Sequence, residues 1–242
     1  MKLLIWLLLM GSAFGQIYPY APPSPAAGVV AVAIDNVGSG ETATQVASLT
    51  WTQTVGGSAN LLFIFVTTIN GHAISTMTVN GSATGVTAVT SRADGNGSTL
   101  TSMYAMVAPP SGTVTMVATP SATDFIVGNS ISFTGTNETY ATPVTTDGKN
   151  TTGQPTATVT GVPASDLVVC SVGVGLNGAF SSYTFTPGGS QVSQAQEGST
   201  GADGGNLLGT LASTGSVVMS WTIATGTTPW YWGEIAVDVH HQ

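Results

Sequence analysis

The chain has 242 residues, of which 42% are hydrophobic and only 6% are Asp, Glu, Lys or Arg, where an ordinary soluble domain carries about a quarter charged residues. Three Lys and Arg against eleven Asp and Glu give a net charge of -8. That balance leaves no basic surface for phosphates and excludes nucleic-acid binding and adhesion to an anionic bilayer.

At the start of the chain, Lys2 precedes an apolar run over residues 3–10, and Ala13-Phe14-Gly15 offers a cleavage point before Gln16. This reads as a signal peptide over residues 1–15 and predicts a secreted, extracellular product. A membrane helix needs about 20 apolar residues, and neither this run nor any later one is long enough, so no membrane span is expected after cleavage. Residues 16–27 hold Pro19, Pro22, Pro23 and Pro25 and read as an extended arm or linker. Val29, Val30, Val32 and Ile34 follow as a first candidate strand. Edge strands are normally protected by charge, which this chain lacks, so the segment is a candidate for donation to a neighbouring copy's sheet.

Beyond it come short stretches rich in Val, Ile, Thr and aromatic residues, separated by Gly, Pro, Asn and Asp, with no helical period. Residues 61–66 and 167–172 are continuously apolar and predict central strands covered on both faces. Cys170 lies in the second of these runs and reads as a buried small hydrophobe; a lone cysteine allows no intrachain disulfide. Between residues 124 and 134, Phe125, Val127, Ile131 and Phe133 alternate with Ile126, Gly128, Ser130 and Ser132, and later Val217, Met219, Trp221 and Ile223 alternate in the same way.

The halves echo each other. Ala59-Asn60-Leu61-Leu62 through Asn70-Gly71 parallels Ser165-Asp166-Leu167-Val168 through Asn177-Gly178, and Ser111-Gly112-Thr113-Val114-Thr115-Met116 parallels Thr214-Gly215-Ser216-Val217-Val218-Met219. The expected fold is all-β: an antiparallel, jelly-roll-like β-sandwich with two similar halves, forming a single domain over residues 28–242 with duplicated segments 58–136 and 164–240. Two tandem sandwiches of about 100 residues are the alternative.

Taken in order, Ser58-Ala59-Asn60-Leu61-Leu62, Met103-Tyr104-Ala105-Met106-Val107-Ala108-Pro109-Pro110-Ser111-Gly112, Pro163-Ala164-Ser165-Asp166-Leu167-Val168-Val169 and Ser220-Trp221-Thr222 resemble secreted bacterial and phage-associated β-sandwich modules. The resemblance spans roughly residues 44 to 239. It implies a jelly-roll-like or immunoglobulin-like sandwich on exported surface, adhesive or structural proteins, and prescribes no catalytic residues.

Motifs that carry chemistry are scarce. Gly173-Val174-Gly175-Leu176-Asn177-Gly178 matches G-x-G-x-x-G, but the sequence after it reads as strand and turn, so the helix that would hold a pyrophosphate is missing. His72 reads as a solvated loop residue, and His240 and His241 as a frayed terminal pair without supporting groups for a metal. Trp232, Glu234, Asp238 and His240 share one strand face, read as solvated or partner-facing. Glu234 and Asp238 would stand about 13 Å apart, too far for a glycosidase pair. Trp230 and Trp232 are the candidates for stacking on a sugar. Asp94-Gly95-Asn96-Gly97-Ser98 and Asp203-Gly204-Gly205-Asn206 read as turns rather than calcium loops. The four sequons at Asn80, Asn96, Asn137 and Asn150 matter only in a glycosylating host.

The expectation is a non-enzymatic structural or adhesive subunit of an extracellular assembly that self-associates and needs no cofactor or metal. Trp230, Trp232, Glu234 and Asp238 are its candidate ligand or interface residues. A carbohydrate-binding module and a virion structural protein are the alternatives.

Overall fold

A computed structural model describes residues 28–149, 153–176, 179–199, 201–224 and 230–242; the expected signal peptide and the Pro-rich arm lie outside these residues. The first half runs β1 (Ala33–Glu41), β2 (Leu49–Val55), β3 (Leu61–Thr68), β4 (Ile74–Val79), β5 (Val86–Ala93), β6 (Leu100–Val107), β7 (Gly112–Pro120) and β8 (Ile126–Thr134). After the short β9 (Thr136–Tyr140), the second half runs β10 (Val144–Lys149), β11 (Thr156–Val162), β12 (Leu167–Gly175), β13 (Thr184–Pro187), β14 (Val192–Gly198), β15 (Gly204–Leu211), β16 (Gly215–Ala224) and β17 (Tyr231–His241). One 3-10 turn, Phe180–Ser182, precedes β13.

The two halves have the same topology. In the first, a large sheet ordered β1-β8-β3-β6-β5 faces a small sheet ordered β2-β7-β4; in the second, β10-β17-β12-β15-β14 faces β11-β16-β13, with β9 added on β17. All the ladders are antiparallel. In each half the chain passes repeatedly between its two sheets, which is the eight-stranded jelly-roll arrangement. Every ladder closes within one half, so the halves are stacked and do not interlock.

Pleating explains the stacking. On β3, Leu62, Ile64 and Val66 point into the first sandwich with Trp51, Met116 and Ile126, while Leu61, Phe63 and Phe65 point the other way. The second sandwich has its own core, built around Val168, Cys170, Val172, Met219 and Trp221. A third core joins the two large sheets, with Phe63, Phe65, Met103, Ile131 and Phe133 meeting Val169, Leu208, Ile235, Val237 and Val239. Phe63 anchors it edge-on to Phe133 at 5.4 Å and to Tyr140 at 5.2 Å. The order is therefore small, large, large, small: four layers with both large sheets covered on both faces. That is why the continuously apolar β3 and β12 are buried along their whole length. It also means that β8 is not half-exposed: its alternating Ser130 and Ser132 are as buried as Ile131 and Phe133.

The edges are managed without many charges. β1, β4, β5, β11 and β14 each carry a register shift in their ladders, and such bulges twist an edge away from a flat partner. β1 packs closely over β2, where Gln53 Nε2 donates to the Asn36 carbonyl at 3.0 Å.

Candidate functional site

The last strand carries Trp232, Glu234 and Asp238, with Trp230 just before it, and the structure buries all four. Trp230 and Trp232 are each 5% exposed and belong to the second core; Trp232 Nε1 donates to the Gly153 carbonyl at 3.3 Å. They form no exposed stacking platform, because β17 lies inside a sandwich. A cleft of about 570 Å³ reaches Trp221 and Trp232 beside Thr146, Asp147, Gln154 and Thr156.

Glu234 and Asp238 do share a face with Trp232, but it is the inward one, so the reading of a solvated or partner-facing face is corrected: they are 0% and 3% exposed. The Glu234 oxygens find no regular hydrogen-bond partner among the described residues, and the weakly polar Cys170 thiol lies beside them. Burial pushes the Glu234 carboxyl up to about 8 and, together with the Glu234 carboxylate, pushes the Cys170 thiol well above its ordinary range. Cys170 Sγ accepts from Trp221 Nε1 at 3.4 Å and from Gln191 Nε2 at 3.5 Å. A thiol so held is inert.

A second cluster lies at the end of β17. Val168 pairs with Asp238 and Leu167 with Val239, so antiparallel register sets Asp166 opposite His240, on the face that also holds Asp238. His240 Nδ1 meets Asp166 Oδ2 at 2.9 Å and Asp238 Oδ2 at 3.6 Å. Asp166 Oδ1 accepts the His241 backbone N–H at 2.8 Å and also contacts the His241 ring. Burial alone would raise the Asp166 carboxyl; hydrogen bonds from His240 and His241 outweigh it and hold the group below its usual range. Burial, then the Asp166 charge, push Asp238 up to about 6 against the opposing effect of His240. The expectation of a frayed His240-His241 end is corrected. Val30 N–H donates to the Gln242 carbonyl and Gln242 N–H to the Gly135 carbonyl, which tie the strand end down.

The first candidate strand is likewise occupied within its own chain. Val32 N–H donates to the Ser165 carbonyl at 2.9 Å, Ile34 pairs with Phe133 in β1, and both side chains pack on the third core. Val29 and Val30 remain exposed. Donation of this strand to another copy would have to break those contacts.

Between the halves runs a buried polar seam that the sequence reading missed. Asn206 Nδ2 donates to Thr67 Oγ1 at 2.7 Å and to Ser171 Oγ at 2.9 Å, its Oδ1 accepts from Asn129 Nδ2 at 2.7 Å, and Thr67 meets Thr101 at 2.9 Å. Asn206 was read as part of a turn, but Gly204 already begins β15. Of the G-x-G-x-x-G match, Asn177 and Gly178 lie outside the described residues. Gly173 sits in β12, where a Cβ would stand 2.0 Å from Thr101 Oγ1; the glycine allows the two large sheets to approach. Asp94 accepts from Asn96 N–H, Ser98 N–H and Ser98 Oγ, each at 3.0 Å, which is a turn built on its own loop. His72 is half-exposed, and its Nδ1 lies 2.9 Å from the buried Asp124.

The signal for the carboxylate–imidazole cluster was present in the paralleled segments, since Ser165-Asp166-Leu167 stands where the first half has Ala59-Asn60-Leu61. Comparison of the chain with family models, with curated protein sequences and with solved structures finds no match.

Proposed function

We propose that the protein is a secreted, non-enzymatic structural or adhesive subunit that self-associates into an extracellular assembly through the outer faces of its two small sheets. The observation that supports this reading is the chemistry of those faces. In the first, Thr50, Thr52 and Thr54 stand beside Val117, Thr115 and Thr113, and Thr78 and Thr76 flank Val117 and Thr119 from the other side. In the second, Thr156 and Thr158 stand beside Ser220 and Val218. None of the six strands contains a charged residue.

Such rows put methyl and hydroxyl groups about 4.8 Å apart across strands and about 6.8 Å apart along them, on a surface with little charge to oppose contact. Because the small sheets are the outermost layers, one lies at each end of the stack. A unit with two contact faces at opposite ends propagates into filaments or sheets when its contacts do not close.

Light scattering and negative-stain images of the exported protein test the reading. Filaments or ordered particles are expected, with growth capped by Thr52→Glu or Val218→Glu and abolished by both together. A wild-type protein that stays monomeric at high micromolar concentration sinks it. Saturable binding on a glycan array by such a monomer moves the assignment to a carbohydrate-binding module at the cleft beside Trp221 and Trp232. Jelly rolls also build viral capsids, and closed shells in the images move it to a virion structural protein.

A further inference from the structure

We propose that Asp166, Asp238 and His240 bind a divalent first-row transition-metal ion, with Zn²⁺ as its reference occupant; the proposal rests on no part of the functional reading above. Three candidate ligand atoms, one from each residue, lie within 4.8 Å of one another. The His240 Nδ1 separations of 2.9 and 3.6 Å from the two carboxylates bracket the roughly 3.4 Å that tetrahedral Zn²⁺ imposes on ligands bonded at about 2.0–2.2 Å. A mixed imidazole and carboxylate set suits zinc, cobalt or nickel better than the all-oxygen cages of calcium.

An independent observation points to a missing ligand. Asp238 is 3% exposed, and its Oδ1 is buried with no hydrogen-bond partner among the described residues. Buried carboxylates are ordinarily paired or coordinate metal. The equivalent places in the first half, by strand register, hold Asn60, Ser132 and Thr134. Those groups are neutral, and Ser132 is bonded to Gln53 and Asp35 at 2.8 Å each. The ionisable set occurs in the second half alone.

The surroundings fit a coordinated ion. Asp166 is oriented by the His241 backbone N–H, as ligating carboxylates usually are. The His240 and His241 side chains are 31% and 27% exposed, which gives an ion a route in. Binding through Nδ1 requires the ring proton to sit on Nε2, and protons compete with the ion for the imidazole and both carboxylates, so uptake weakens as the pH falls. Val32 N–H bonds to Ser165 and Val30 N–H to Gln242, so an ion here fastens the start of β12, the end of β17 and the segment leading into β1.

The test titrates the folded full chain with Zn²⁺ by calorimetry at two pH values, and with Co²⁺ by visible absorption. Expected are one ion per chain, weaker binding at the lower pH, tetrahedral Co²⁺ bands and a thermal midpoint several degrees higher with saturating Zn²⁺. Asp238→Asn and His240→Gln should each weaken binding at least tenfold, and His72→Gln should leave it unchanged. Failure of the wild type to saturate below millimolar Zn²⁺ overturns the proposal. So does binding that survives both Asp238→Asn and His240→Gln, or saturation by Ca²⁺ with neither Zn²⁺ nor Co²⁺ bound.

Discussion

The two halves share one topology and fill the inward positions of β8 and β17 with different chemistry. In the first, the inward polar side chains of β8 are neutral and bonded: Trp51 Nε1 donates to Ser130 Oγ at 3.2 Å, Gln53 Nε2 donates to Ser132 Oγ, and Ser132 Oγ donates to Asp35. Gly128 leaves the space that the Trp51 ring fills, since a Cβ there would stand 2.9 Å from it. At the equivalent place the second half puts Glu234, buried beside Cys170 and without a regular partner. The backbone ladder thus specifies where a side chain points, while the choice of side chain decides whether the position contributes stability or a titration. The pH response of the molecule is expected to reside in its second half.

The largest effects expected are from Trp51 and Trp221, one in the core of each sandwich. Trp51→Ala and Trp221→Ala should each cost about 3–5 kcal/mol, read from urea midpoints. A single transition, coincident by fluorescence and circular dichroism, would show that the third core makes the halves one cooperative unit; separate transitions would break that picture.

Next comes the pH dependence. In the unfolded chain Glu234 ionises near its ordinary 4.5, whereas in the folded protein it stays protonated up to about 8. Stability should therefore be highest at acid pH and fall as pH rises between those values, by up to roughly 1.4 kcal/mol per pH unit. Asp238, raised to about 6, steepens the lower part of the fall. Melts of Glu234→Gln across the same range should lose most of the slope, and an unchanged slope would move the titration elsewhere. Asn206→Ala should cost about 2 kcal/mol by leaving the Ser171 hydroxyl and the Asn129 amide without the partner they have in the seam, with faster amide exchange concentrated along β3 and β12. The smallest effect is Arg92→Ala, which removes the contact to Asp147 across the halves. Both side chains are about a third exposed, so the loss should stay under about 1 kcal/mol and fade in salt.

Much of the fold could be read from the chain. Apolar runs at 61–66 and 167–172 marked two of the doubly covered strands, and Val217, Met219, Trp221 and Ile223 marked an inward face that the structure retains. A two-residue period states which residues share a face but not what covers it. Glu234 and Asp238 were therefore placed together correctly and given to solvent wrongly, because a polar residue on a strand normally faces water and here both faces meet protein. His240 and Asp166 are 74 residues apart in sequence; only the β12 and β17 register brings them opposite each other. The seam at Asn206 was hidden by Gly204 and Gly205, which resemble a turn and instead start a strand.

The third core also sets a timetable. Phe63, Phe65, Ile131 and Phe133 belong to strands finished by residue 134, while their partners Ile235, Val237 and Val239 arrive about a hundred residues later. At roughly 5–20 residues per second of synthesis, the completed first sandwich waits about 5–20 s with an aromatic face uncovered. During that interval the face is open to a second nascent chain as much as to its own, and premature pairing between copies competes with correct closure.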